Sequence, residues 1–336
     1  MMKINDPALF SVVIPTFEGT PFLERTLDYF RDLAFKGRIV LADNSSGEHR
    51  KFVAACAGKY PALKLEVLAY PETIPFLDKM TAALEKIDSR FVLLHAHDDF
   101  LVPASVEQCV EFLAGNSGYS VARGRIAMFA LARNANDASG QVAVSLLPHP
   151  MRGYEQPDAV ERLLAHIERY ASTFYSVHRR ESLLESLRLT QRATHNVIFF
   201  QYLSSCIAAV QGKIRCLDQL FYVRQGHADS WSGRLKQGDY EHWPMLITSP
   251  DFSRYYHEFR TALARLVEST NGVPAAVLGP RIDVAALGLF QRGYCGREME
   301  NPDEALFIQR LHDAGSEEHR VLTSIVDFTQ RYPQTY

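Results

Sequence analysis

The segment Phe10-Ser11-Val12-Val13-Ile14-Pro15 constrains the fold more than any other. It is short and β-branched, and it is apolar at positions facing both sides of a strand, so packed layers must cover both faces. Thr20 and Pro21 then open a helix. Threonine can cap the free amides, proline suits the first helical position, and Leu23, Leu27, Phe30 and Ala34 recur at helical spacing. The unit repeats: 38–42 reads as a second strand, 48–58 as a helix and 63–69 as a third strand. A helix follows over 75–87, then a fourth buried-type strand over 91–94. This alternation builds an α/β fold, a doubly wound and mostly parallel sheet with helices on both faces.

Pro103 starts the next helix, and further strands are expected at 119–131, 141–147, 172–177 and 220–224, with helices at 158–170 and 196–211. Beyond Asp239 the strand signal fades. A sheet-bearing domain over 1–238 and a mainly helical C-terminal region over 239–336 are therefore expected. With 336 residues, 47% of them hydrophobic, the chain can bury a large core. Its 36 basic and 39 acidic residues nearly balance, which gives no field for nucleic acid, so any anion site must be local. Five cysteines without a Cys-x-x-Cys pair argue against a disulfide framework and for a reducing cytoplasm. No leader pattern is present in the first ten residues, and no uncharged apolar run reaches the roughly 18 residues of a membrane span.

In an open parallel sheet, ligands bind outside the carboxyl ends of the strands. Thr16, Phe17 and Glu18 follow the first strand, Asp43, Asn44, Ser45 and Ser46 the second, and His97, Asp98 and Asp99 the fourth. Ser45 and Ser46 read as ordinary helix-capping residues. Asp98 and Asp99 do not, because adjacent carboxylates repel each other and neither sits where a helix opening at Pro103 needs a cap. A divalent cation, magnesium or manganese, would relieve that repulsion and could bind substrate phosphates alongside the carboxylates. His97 is a neighbour or third ligand; His95, two residues earlier, reads as structural.

Four segments, taken together and in order, resemble the family 2 glycosyltransferases with the GT-A fold, in particular a bacterial subgroup whose metal motif ends Asp-Asp-Phe. They are Ser11 to Glu18, Val40 to Ser46, His97 to Pro103, and Arg224-Gln225-Gly226-His227-Ala228-Asp229-Ser230. The resemblance implies that Thr16, Phe17, Glu18 and Asn44 line a nucleotide pocket and that Asp43 accepts hydrogen bonds from the base. It further implies that Asp98, Asp99 and His227 hold Mn2+ or Mg2+ on the donor diphosphate and serve catalysis. Lys79 would meet a phosphate, or else be a solvated helix lysine, and Arg224 would steady the loop bearing His227. The implied donor is a nucleotide sugar, a UDP-sugar foremost; the acceptor is a glycan, lipid-linked or protein hydroxyl, approached past Tyr175, His178 and Arg179.

Two positions depart from the family pattern. Ala96 stands where many relatives have the first aspartate of Asp-x-Asp. Gln201 stands where inverting relatives have an acidic base, and a glutamine cannot take a proton at neutral pH. His195, at the opening of the same helix, is the nearest titratable alternative. A nucleotidyltransferase and a nucleotide-sugar or glycan binding protein without turnover are the competing readings. In the C-terminal region Tyr255, Tyr256, Phe259, Leu263 and Leu266 lie beside Arg254, Arg260 and Arg265. Such a stripe packs on its own domain or on a second subunit of a homodimer more often than on a membrane, where it would make the protein peripheral at the inner face.

Overall fold

The computed structural model describes residues 4–133, 142–149, 151–227, 250–295 and 302–335. The first half is the expected alternation: β1 (Phe10–Thr16), α1 (Thr20–Asp32), β2 (Arg38–Asp43), α2 (Gly47–Lys59), β3 (Lys64–Ala69), α3 (Phe76–Lys86) and β4 (Phe91–Leu94). β1 pairs in parallel with β2 and β4, and β2 with β3. Because Thr16 is the register partner of Asp43, and Asp43 of Ala69, these three strands end level. Their polar terminal residues therefore share one edge.

The second half is β5 (Phe100–Leu101), α4 (Pro103–Gly115), β6 (Tyr119–Arg133), β7 (Val142–His149), α5 (Ala159–Glu168), β8 (Val177–Arg179), α6 (Arg180–Ala193), α7 (Val197–Gln211) and β9 (Lys213–Gly226). The nine-stranded sheet has the order β3-β2-β1-β4-β8-β6-β9-β5, with β7 on β6. β8 lies antiparallel to both β4 and β6, while β9 runs parallel to β6. Two reversals restore the direction, so β9 delivers its carboxyl end to the same edge as β1.

Several local expectations are corrected. Thr20 does not cap α1: Gly19 holds the cap position without a side-chain bond, and the Thr20 hydroxyl lies 2.6 Å from His49 Nδ1. Ala34 lies beyond the helix, at φ 49°. The strand expected over 172–177 is displaced to Val177–Arg179, because the polar residues before it satisfy themselves locally. Thr173 donates to Ser205 Oγ from both its amide and its hydroxyl at 3.1 Å, and Ser172 Oγ accepts from Phe174 N at 3.2 Å. Buried Arg123 fixes the same stretch through the carbonyls of Ala171 and Ser172. Helix α6 has no counterpart among the expected elements, although buried Leu183, Leu184, Leu187 and Thr190 carry its period.

The C-terminal region is helical: α8 (Phe252–Asn271), α9 (Ala275–Cys295), α10 (Pro302–His312) and α11 (Glu317–Thr329). Phe259, Leu263, Leu278 and Ile282 share a core with Leu163, Phe199 and Leu203 of α5 and α7, whereas Phe307, Leu322, Ile325 and Phe328 join the main core beneath the sheet. The aromatic stripe of α8 thus faces its own domain, with Arg260 bonded to Asp283 at 2.8 Å. The expected boundary at 238/239 lies outside the described residues. Cys56, Cys109, Cys206 and Cys216 are free thiols. Among the described residues, no helix is long and apolar enough to cross a membrane.

Asn196 caps α7, accepting from Ile198 N at 3.0 Å and Phe199 N at 3.1 Å. Asn196→Ala should lower stability by about 1 kcal/mol, read as a shifted urea midpoint at unchanged slope.

Candidate active site at the carboxyl edge of the sheet

Thr16 Oγ1 donates to Asp43 Oδ1 at 2.8 Å, and the same oxygen accepts from Ser45 Oγ at 2.7 Å and Ser45 N at 3.2 Å. Ser45 Oγ in turn accepts from Glu18 N at 3.0 Å, and Ser46 Oγ donates to Glu18 Oε1 at 2.8 Å. Ser46 holds the N-cap position of α2, but neither serine gives the helix the side-chain cap bond that their sequence context implies. They stitch the ends of β1 and β2 together and hold Glu18 at φ 48°, a conformation costly for a residue with a side chain. Next to this fixed point Phe17 stands 51% exposed, its ring free to stack on a flat ligand.

Lys79 is neither solvated nor extended toward the opening. It is 2% exposed, and Nζ donates to Thr16 O at 3.0 Å and Asn44 Oδ1 at 2.5 Å. Asn44 Nδ2 continues to Glu72 O at 2.9 Å. Burial pushes Lys79 down to about 8, against the opposing pull of Asp43. The lysine crosslinks the ends of β1 and β2.

Helix α1 holds the loop after β4 by its carbonyls. Thr26 Oγ1 donates to His97 O at 2.7 Å, Arg25 Nη2 to Asp98 O at 2.5 Å, and the Tyr29 hydroxyl to Leu101 O at 2.9 Å. Glycine at 19 is required for the close approach of the His97 ring, which a Cβ there would strike. His95 is structural, as expected: it is fully buried, 3.0 Å from the Tyr222 hydroxyl, and burial pushes it down to about 3.

Strand pairing then brings distant residues together. Phe100 pairs with Val223 and Leu101 with Tyr222, which sets Asp98 and Asp99 against Arg224, Gln225 and His227. The adjacent carboxylates diverge. Asp99, 3% exposed, turns inward: Oδ1 accepts from Gln225 N at 3.0 Å and Oδ2 lies 3.6 Å from Arg224 Nε. Asp98 Oδ2 meets His227 Nε2 at 3.0 Å, with side-chain exposures of 17% and 5%, and the Phe22 ring stacks on His227 at 4.3 Å. Burial and the charge of Asp98 push Asp99 up to about 7. Burial acts on Asp98 in the same sense, but the His227 hydrogen bond, with His97, His227 and Arg224 close by, holds it below the usual carboxylate range.

Metal ligation fits Asp98 and His227 better than Asp99, whose oxygens face β9. Asp98 Oδ2 and His227 Nε2 are 3.0 Å apart and hydrogen-bonded, so a cation held by both would have to take the place of the shared proton. Among the described residues no cluster of three His, Cys, Asp or Glu side chains exists, so other ligands would have to come from substrate phosphate and water.

The expected acceptor side is only partly assembled. Tyr175 stacks on Tyr222 at 5.2 Å, with the Arg224 guanidinium 5.6 Å above its ring. His178 is buried, with Nε2 2.6 Å from Thr173 O. Arg179 pairs with Phe91 at the opposite end of the sheet and donates to Tyr119 O, Leu113 O and Asn116 O. Neither can meet an acceptor. Gln201 lies in the first turns of α7, beside Phe200, which packs near Phe76 and Phe174. His195 is exposed just before that helix. Ala228, Asp229 and Ser230 lie outside the described residues. Sequence reasoning missed Phe22, Arg25, Thr26, Gln225 and Thr335; the available signal was a charged residue on the apolar face of α1.

No protein-family model matches the sequence, and neither does any curated protein. Solved structures do match. S. aureus TarS 1–349 in complex with UDP is similar with TM-score 0.50 and 14% identity, over 98% of this chain and 91% of that one. The mannosyltransferase PcManGT from Pyrobaculum calidifontis, in complex with GDP-Man and Mn2+, gives 0.44 and 15% over 96% and 85%. Against a longer TarS structure this chain spans 56% of the length. The likeness is one of fold, and the fold is the expected GT-A type.

Lys79 gives a stability signature with a defined sign. Its folded pKa lies below its unfolded one, so its contribution is greatest above about 10.5 and is lost as pH falls through about 8. In melting temperatures taken from pH 8 to 10, the parent should gain on Lys79→Met as pH rises.

Proposed function

We propose that this chain is a metal-assisted glycosyltransferase that moves a sugar from a nucleotide-sugar donor to an acceptor hydroxyl. The observation that carries this reading is the pairing of Asp98 Oδ2 with His227 Nε2 at 3.0 Å, beside the pocket built by Thr16, Phe17, Asp43 and Asn44. Phe17 offers its face to the base, and the Thr16–Asp43–Ser45 network presents a fixed polar wall to the nucleoside. Asp98 and His227 would hold Mn2+ or Mg2+ against the diphosphate; bound there, the cation would neutralise charge growing on the leaving group as the bond from sugar C1 to oxygen breaks. Arg224, locked over Tyr175 and against Asp99, adds fixed positive charge and limits how far the acceptor side can shift. Gln201 can orient an acceptor hydroxyl without taking its proton.

Gln201 also favours a second reading, a nucleotide-sugar binding protein without turnover, which product formation separates from the first. A nucleotidyltransferase fits less well, because Thr16-Phe17-Glu18-Gly19 is not a glycine-rich, basic phosphate loop. UDP is the first probe, since the TarS structure of similar fold contains it; the four free thiols suit work in a reducing cytoplasm.

Asp98→Asn should abolish the manganese-dependent part of UDP affinity in calorimetry while leaving the melting temperature near parental. His227→Ala should reduce the same part, and the double variant should be scarcely worse than the poorer single one; simple additivity would remove His227 from the site. Phe17→Ala should weaken UDP binding roughly ten-fold with or without manganese, a loss of about 1–2 kcal/mol of base stacking.

A further inference from the structure

Arg25 is fully buried and, among the described residues, forms no ion pair with a carboxylate. Among the described residues its Nε has no hydrogen-bond partner. The guanidinium is satisfied instead by Asp98 O at 2.5 Å, Thr335 Oγ1 at 2.9 Å and Gln225 Oε1, with its face 4.7 Å from the Phe100 ring centroid. Gln225 joins both sides of this arrangement. Its backbone N–H donates to Asp99 Oδ1, and its side-chain Nε2 donates to Thr335 O at 2.7 Å. Thr335 lies in the short 3-10 turn Pro333–Thr335, which is anchored to α1 by the Tyr332 hydroxyl on Asp28 at 2.7 Å.

A buried cation whose direct acceptors are neutral, and which Asp98 and Asp99 reach only through their field, is costly, and hydrophobic packing alone would not require one. What it supplies is direction. Arg25 holds the peptide that carries Asp98, Gln225 holds the carboxylate of Asp99, and Thr335 locks Arg25 and Gln225 to each other. We infer that Arg25, Gln225 and Thr335 form a positioning unit that keeps the Asp98–Asp99 loop in register with His227, so that the turn at 333–335 is part of the metal and diphosphate site. The inference rests on the proposed donor site for its functional consequence, but its structural content can be tested separately.

The test compares Thr335→Val, Thr335→Ser and Arg25→Lys with the parent. Calorimetry measures UDP and GDP affinity with and without manganese, and hydrogen exchange follows the amides of 95–102 and 222–227. Thr335→Val keeps the backbone carbonyl that Gln225 uses and loses only the hydroxyl. It should lower the manganese-dependent gain in nucleotide affinity about ten-fold, leave metal-free affinity unchanged, and speed exchange in the two segments but not in β1 and β2. Thr335→Ser should restore the parental values, and Arg25→Lys should behave like Thr335→Val. Parental metal dependence and parental exchange in Thr335→Val would overturn the inference, as would faster exchange across the whole sheet, which marks simple destabilisation. If the parent itself binds neither nucleotide in a manganese-dependent way, the functional proposal fails, and exchange at 95–102 alone decides whether the positioning unit exists.

Discussion

Two adjacent carboxylates cannot both ionise comfortably in a closed site, and the candidate site is organised around how this chain separates them. Asp99 is drawn inward by the Gln225 amide and the Arg224 guanidinium, which leaves Asp98 the outward-facing partner of His227. The separation needs β9 beside the loop, and a strand of only two residues, β5, secures it. Without that pairing the Asp-Asp-Phe sequence would be an exposed acidic turn.

The ends of β1 and β2 obey a different rule. Thr16, Asp43, Ser45, Asn44 and Lys79 spend most of their hydrogen-bonding capacity on one another. Such a network resists deformation and presents a preformed surface, so little ordering entropy remains to oppose ligand binding. One exposed aromatic ring beside a rigid polar wall suits a base more than a flexible chain.

Much of the sheet was legible because buried parallel strands such as 10–15 and 91–94 must be apolar on both faces, and few other arrangements tolerate them. The position of Thr16, Asp43 and Asp98 at the carboxyl edge of the sheet was legible because each ends or closely follows such a strand. Arg25 was not, since its role depends on a contact with Gln225 two hundred positions away. His178 and Arg179 misled for the converse reason: they sit in a strand, but β8 runs antiparallel to β4 and carries Arg179 away from the ligand edge. A short apolar run gives a strand without giving its direction. Likewise Ser45 and Ser46 occupy cap positions in sequence, and only the proximity of Glu18 shows why their hydroxyls turn elsewhere.

The bond between Arg25 and Thr335 spans 310 positions. During synthesis α1 emerges early and β9 much later, and Arg25 gains its threonine acceptor only after residue 335 has emerged. Until then a nascent polypeptide can pair β1 with β2 and β4 while its guanidinium still lies open to water. The edge that carries Asp98 is therefore completed by a highly nonlocal closure, after the strands beside it can already pair.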